Sequence, residues 1–212
     1  MINCCLRTPG WLRLLQHRAW HHTGDNRVLL TFDDGPHPVW TPYLLEILAR
    51  FNLRGLFFLR GDHLQLHPET ARLISTGGHW LGLHGMQHGS QLLRSRLAVR
   101  TELQVQQRQF EEVGLPRALF CRPPYGYYLP TYTGAAEDLK LTTMLWSLMI
   151  RDYRPLQPQL LQRRLLRLQQ AGDIILLHDH AQGTPQLLEM LPGYLEASLA
   201  RNVRFVLQGE EL

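Results

Sequence analysis

RVLLTFDDGPHP, residues 27–38, is the stretch from which the fold is read. Its first half, Arg27 to Phe32, is a short run rich in Val, Leu, Thr and Phe, the composition of a buried strand. Two adjacent carboxylates, Asp33 and Asp34, follow at once, and then Gly35 and Pro36, where a chain turns. In folds that alternate strands with helices, catalytic groups collect at the carboxyl ends of strands, so a carboxylate pair at this place points to chemistry as well as to a turn. Asp-Gly-Pro alone is an ordinary turn, and the rest of the chain has to decide between the two readings.

Similar runs recur at residues 55–59 (GLFFL), 79–83 (HWLGL), 117–121 (RALFC), 142–147 (TTMLWS), 174–177 (IILL) and 203–207 (VRFVL), which makes seven candidate strands. Helical periodicity lies between them. The first helix is expected from Thr41 as N-cap and Pro42 at the first helical position, and others over 68–76, 90–113, 155–170 and 185–200. In the 90–113 segment Leu93, Leu97, Leu103 and Phe110 mark the inward stripe of an outer helix. Single strands alternating with single helices predict an α/β fold of parallel strands, either an open doubly wound sheet or a closed barrel. One domain is expected over 27–212, preceded by an N-terminal extension over 1–26.

With 212 residues, 44% hydrophobic and 19% charged, the chain has enough apolar surface for one core, and its 17 Gly and 13 Pro fall in no periodic tract. The net charge of +4 comes from arginines scattered singly, which argues against nucleic acid as a partner. Cys4, Cys5 and Cys121 are badly placed for a disulfide framework. No signal peptide and no transmembrane segment is visible, so the cytoplasm is the default expectation. Trp11, Leu12, Leu14, Leu15 and Trp20 suit a short amphipathic helix closing the open end of a barrel.

The second chemical cluster is LGLHGMQHGS, residues 81–90, with His84 and His88 four apart after the third strand. On one turn of helix that spacing puts two imidazoles on one face, although a chain with 11 histidines meets it by chance. Two imidazoles and one carboxylate form a catalytic zinc set with a position left open for water. Of Asp33 and Asp34, one can ligate while the other accepts a proton. At the next strand end, Arg122 precedes Pro123, Pro124, Tyr125 and Gly126, and a buried guanidinium there suits a two-point grip on a carboxylate. Asp152 and His178 follow the last strands of the series. Read singly, Arg122 is an exposed residue before a rigid turn and His178 a core histidine. Together they place polar groups at five of the seven expected strand ends.

In order, the stretches TFDDG, His84 to His88, RPPYG, the tryptophan-to-aspartate segment ending at Asp152, and ILLHD resemble the five motifs of the polysaccharide deacetylase family, the NodB-homology or carbohydrate esterase family 4 domain. The similarity runs from about Val28 to Leu207. It implies a distorted (β/α)7 barrel and metal-dependent removal of N-acetyl groups from amino-sugar poly- or oligosaccharides. By position it implies Asp33 as general base, and Asp34, His84 and His88 as ligands of a divalent metal, zinc first with cobalt or nickel as alternatives. It makes Arg122 the residue that holds the base, the Tyr125 backbone N–H the oxyanion donor, and His178 the general acid.

Two departures stand out. Gly85 takes the place of the family's usual Ser or Thr, so a loop-fixing hydroxyl is missing. Met149 and Tyr153 replace an acid and a tryptophan of the fourth motif, which leaves Asp152 to orient His178 or Arg122. Tyr127, Tyr128, Trp40 and His37 are candidate substrate contacts. The rival readings are another amide substrate on the same scaffold and a carbohydrate-binding protein without turnover. The implied partner is an N-acetylated saccharide, and the sequence leaves its identity and the oligomeric state open.

Overall fold

The computed structural model describes Arg7, Thr8 and residues 18–180 and 182–212; the amphipathic-helix expectation falls largely on residues 11–17, outside the described set. Seven strands form one sheet: β1 (Leu29–Asp33), β2 (Leu56–Leu59), β3 (Trp80–Leu83), β4 (Phe120–Cys121), β5 (Thr142–Thr143), β6 (Leu148–Met149) and β7 (Ile174–His178). Their order is β5-β4-β3-β2-β1-β7-β6, and every neighbouring pair is parallel. Among the described residues, seven helices accompany them: α1 (Trp40–Arg50), α2 (Gly61–Leu66), α3 (Pro68–Thr76), α4 (Arg96–Glu112), α5 (Pro130–Asp138), α6 (Pro158–Leu168) and α7 (Thr184–Leu199). This is the distorted (β/α)7 barrel.

The alternation of side chains along each strand divides the core in two. Leu30, Phe32, Phe57, Leu59, Ile175 and Leu177 face outward under the helices, whereas Leu29, Leu56, Phe58, Ile174 and Leu176 fill the barrel interior. Asp33 and His178 share the parity of Leu29 and Ile174, and they are register partners across β1 and β7. Both therefore point into the barrel at its carboxyl end.

The expected count of seven strands is right, but the membership differs. The 142–147 run pairs only at Thr142–Thr143, because the carbonyls that follow are spent elsewhere: Met144 and Leu145 on Arg122, Trp146 and Ser147 on Thr8. Pairing resumes in β6, which the sequence does not separate. Residues 203–207 form no strand of the sheet. They make isolated bridges, Phe205 to Val28 and Leu207 to Leu53, across the amino ends of β1 and β2.

β5 and β6 do not pair with each other. Trp20 bridges Met144 and Arg7 bridges Leu148, so the described part of the N-terminal region runs along this gap. Arg7 is fixed there by two bonds to the Asp173 carboxylate, at 2.8 and 2.9 Å.

Helix limits also shift. α1 begins at Trp40 with Val39 as N-cap; the Thr41 hydroxyl accepts the His37 N–H at 2.8 Å and donates to Asp179, so it does not cap. α4 starts only after Ser95, whose side chain accepts the Ala98 N–H at 3.2 Å. Its inward face is Val99, Leu103, Gln106 and Phe110, while Leu93 and Leu97 are 92% and 73% exposed. α2 and α5 were not expected from the sequence.

Candidate active site and metal centre

At the end of β1 the chain enters a left-handed turn at Asp34, φ 74°, which carries its carboxylate beside that of Asp33. At the end of β3, His84 is buried and its Nδ1–H donates to the Arg122 carbonyl at 2.9 Å. A carbonyl can only accept, so this bond fixes the tautomer and leaves the Nε2 lone pair facing the barrel mouth. His84 Nε2 and His88 Nε2 lie 3.7 and 3.5 Å from Asp34 Oδ1. Bonds of about 2.0 to 2.1 Å to one tetrahedral ion put its ligand atoms about 3.3 to 3.4 Å apart, so the two distances from Asp34 Oδ1 are close to those of a zinc-type site. Asp34 Oδ1 is buried and accepts no hydrogen bond, as a lone pair kept for a cation would be. Asp34, His84 and His88 are the one such trio among the described residues. Burial would raise the Asp34 pKa, but His84, His178, His88 and Arg60 together hold it below the ordinary value.

The histidine pair does not sit on a helix, contrary to the expectation. Residues 84–91 are loop, and Gly85 has φ +82°. The loop is held from both sides. The Gly61 and Asp62 N–H groups at the start of α2 donate to the Gly85 and Met86 carbonyls, each at 2.9 Å. From α4, Gln106 accepts the Gly85 N–H at 3.0 Å and Glu102 accepts the Met86 N–H at 2.9 Å. Two side chains of α4 thus restrain the loop in which position 85 lacks the family's usual hydroxyl. A polar residue within a helix rich in Gln and Arg gives no sequence sign of this.

Asp33 is held from below. Arg122, fully buried, donates from Nη1 to Asp33 Oδ1 at 2.6 Å and to Thr31 Oγ1 at 2.8 Å. The grip is one-point, not the expected two-point fork, because Nε and Nη2 are committed to the Met144 and Leu145 carbonyls at 3.0 and 2.9 Å. The guanidinium packs on the Phe58 ring, 4.0 Å from its centroid. Asp33 Oδ2 faces His84 Nε2 across 3.7 Å.

On β7, Asp152 accepts the His178 N–H at 2.7 Å and pairs with its Nδ1 at 3.1 Å, so Asp152 orients His178 and not Arg122. Desolvation lowers the imidazolium pKa, but the charge and hydrogen bond of Asp152, with Asp34 and Asp33 beyond, raise it to about 9. His178 is therefore protonated at neutral pH. The Tyr153 ring stands edge-on to it at 5.5 Å.

Asp33, Asp34, His84, His88, Tyr125 and His178 all line one cleft of about 500 Å³ at the mouth of the barrel. Tyr125 adopts φ 62°, donates its hydroxyl to the His88 carbonyl at 3.2 Å and meets the His88 ring edge-on at 4.2 Å. Arg122 and Asp152 lie beneath the cleft. His37, Trp40, Tyr127 and Tyr128 do not line it; His37 and Trp40 stack on each other, and Tyr128 packs toward Tyr132. Four further residues had no sequence signal of their own. His63 donates from Nδ1 to the Asp34 carbonyl at 2.6 Å. Asp179, buried beside Gly35, has its pKa raised by desolvation to about 7 and accepts the Thr41 hydroxyl at 2.6 Å. Arg151 and Arg154 join the cleft wall.

The polysaccharide deacetylase family model matches residues 21–144. The chain is 28% identical to a peptidoglycan-N-acetylglucosamine deacetylase of Bacillus cereus over 92% of each chain, and 31% identical to a chitooligosaccharide deacetylase of Sinorhizobium fredii over 74% of each. Other relatives are longer, and the chain spans 35% of a peptidoglycan-N-acetylglucosamine deacetylase of Listeria monocytogenes. In structure it resembles a peptidoglycan N-acetylglucosamine deacetylase solved with a hydroxamate, with a TM-score of 0.85 over 94% of each chain at 23% identity. That likeness bears on the fold, and the sequence matches carry the rest: the chain belongs to the polysaccharide deacetylase family.

Proposed function

We propose that the protein is a metal-dependent hydrolase that removes N-acetyl groups from amino-sugar poly- or oligosaccharides. The observation that carries this reading is the triangle of Asp34, His84 and His88 set beside a carboxylate, Asp33, that a buried arginine holds at 2.6 Å. A divalent ion held by that trio, zinc first with cobalt or nickel as alternatives, supplies a water of lowered pKa and polarises the amide carbonyl when bound.

The chain's own groups do the rest. Asp33 takes the proton of the attacking water; Arg122 fixes its Oδ1, which leaves Oδ2 on the His84 side to receive it. The Tyr125 backbone N–H would donate to the oxyanion. His178, charged and steadied by Asp152, donates its Nε2 proton to the leaving nitrogen as acetate departs. Arg122 and Asp152 are positioning residues, since each acts through the group it holds.

The test is acetate release from a panel of N-acetylated oligosaccharides, after chelation and after zinc is restored. Release that stops with chelator and returns with zinc is expected, together with loss of stoichiometric metal in His84→Ala or His88→Ala by elemental analysis. Undiminished release from the chelated protein overturns the metal assignment. Saturable saccharide binding without acetate would make the protein a binding module.

A further inference from the structure

Asp34 comes from the turn after β1 and the two histidines from the loop after β3, so the trio meets only if one loop is fixed against the other. The first turn of α2 touches both. On one side its Gly61 and Asp62 N–H groups hold the Gly85 and Met86 carbonyls. A Cβ at position 61 would come within 3.1 Å of Met86 Cα, so the start of the helix lies directly against the histidine loop. On the other side the Arg60 N–H donates to the Gly35 carbonyl at 3.0 Å, and the His63 ring donates from Nδ1 to the Asp34 carbonyl at 2.6 Å.

Each carbonyl of the aspartate turn is met by a donor from outside it: Asp33 by the Asp179 N–H at 3.3 Å, Gly35 by Arg60 and Asp34 by His63. Two of these donors are backbone groups that any sequence supplies. Only the His63 bond depends on a side chain. It falls on the ligating residue itself, whose φ of 74° is sparsely populated without glycine and needs its surroundings to hold it. The ring is fixed in turn. His63 is buried, its face stacks on His180 with centroids 4.0 Å apart, and His37 meets His180 edge-on at 4.9 Å. Its backbone N–H donates to Asp62 Oδ1 at 2.9 Å, and Arg60 holds that carboxylate. A bond to the carbonyl of a ligating residue steers its carboxylate and leaves the oxygens free for a cation. We propose that His63 is a positioning residue of the metal centre: by tying Asp34 to the helix that also holds the histidine loop, it sets the span between carboxylate and imidazoles, and so the affinity for the ion. His63 does not line the cleft, so this role is separate from saccharide contact. The inference rests on the metal-dependent reading of the site.

The zinc affinity of the full chain, measured by competition with a chromophoric chelator, tests it in three variants. His63→Leu loses the donor and keeps an apolar bulk; zinc should bind about 10- to 100-fold more weakly, as when the partner of a metal ligand is removed. His63→Asn keeps an N–H at the place of Nδ1 and should recover most of that affinity. His63→Gln carries its N–H one methylene further out and should be as weak as His63→Leu, which it replaces if circular dichroism shows the leucine variant unfolded. Acetate release from an N-acetylglucosamine oligomer at limiting zinc should fall in step with zinc content, with KM for the saccharide unmoved and turnover returning as zinc is raised. Unchanged zinc affinity in the folded leucine or glutamine variant, or an asparagine variant as weak as either, overturns the inference and leaves deacetylation standing. Wild-type protein that binds no zinc removes the metal reading and this inference with it. Zinc bound without acetate release overturns deacetylation alone, because the affinity ratios are read without substrate.

Discussion

Arg122 beneath the cleft and Arg154 on its rim carry the same charge and serve it in opposite ways. Arg122 is wholly buried and makes four hydrogen bonds to protein, one of them to Asp33. Arg154 is exposed and leans on one tyrosine ring. A buried guanidinium has to be satisfied for the chain to fold at all, so its geometry is set by the barrel. A rim guanidinium carries little folding energy and is free to vary with what the cleft must bind.

The sharpest way to break that comparison is to remove each side chain in turn. Arg122→Ala leaves Asp33 buried without its counter-charge and strips donors from Thr31, Met144 and Leu145, a change that costs about 3 to 5 kcal/mol when a buried pair is broken. Arg154→Ala should stay within about 0.5 kcal/mol of wild type, as surface changes do. Urea unfolding of both proteins measures the difference. Equal stabilities would mean that the buried network is not what holds this end of the barrel.

The next effect separates metal binding from proton transfer within the buried wall. Asp33→Asn keeps the shape and the Arg122 contact but cannot accept a proton. Turnover should fall on the order of 100-fold or more, with zinc content by elemental analysis unchanged. A variant that loses its zinc would make Asp33 a ligand and not a base.

The buried wall is also the part that could be read in advance. Asp33, Asp34, His84, Arg122 and His178 each end or follow a strand, and strand position plus residue type was enough to bring them to one mouth. What stayed hidden is what a one-dimensional pattern does not encode. The 142–147 run reads as one strand because its carbonyls look available, yet Arg122 and Thr8, distant in sequence, claim four in succession. Leu93 and Leu97 fit a helical stripe but precede or open α4, before that face turns inward. Asp179 passed unnoticed because Thr41, its partner, lies 138 residues away in α1.

At the junction of the two walls, Asp152 should control a pH profile. His178 has its pKa raised to about 9 despite desolvation, chiefly through Asp152, so the imidazolium is present below that pH and lost above it. General-acid activity should therefore fall on the alkaline limb near pH 9, and a divalent ion beside Asp34 would draw that limb lower by offsetting one carboxylate. By linkage the same shift stabilises the fold fully below the ordinary histidine value near 6.5 and ceases to do so as pH rises through about 9. Asp152→Asn removes the charge and keeps the shape. Its alkaline limb in kcat should move down by at least one pH unit, with about a ten-fold loss at neutral pH. An unmoved limb would assign that ionisation to another group.

The smallest effect concerns the loop that joins the metal ligands. If Gly85 lacked a needed hydroxyl, Gly85→Ser should tighten zinc binding. The geometry argues the reverse. Gly85 sits at φ +82°, and a Cβ there would come within 3.2 Å of both the Gln87 carbonyl and Glu102 Oε1. The strain is worth on the order of 1 kcal/mol, and Glu102 is the acceptor that already holds Met86. Gly85→Ser should therefore lose about 1 kcal/mol in unfolding experiments and bind zinc no more tightly than wild type. The α4 tether makes the matching prediction: Gln106→Ala frees the Gly85 N–H and should weaken zinc where the added serine fails to strengthen it. Tighter zinc in Gly85→Ser, or unchanged zinc in Gln106→Ala, would show that the loop is positioned by something other than the two α4 side chains.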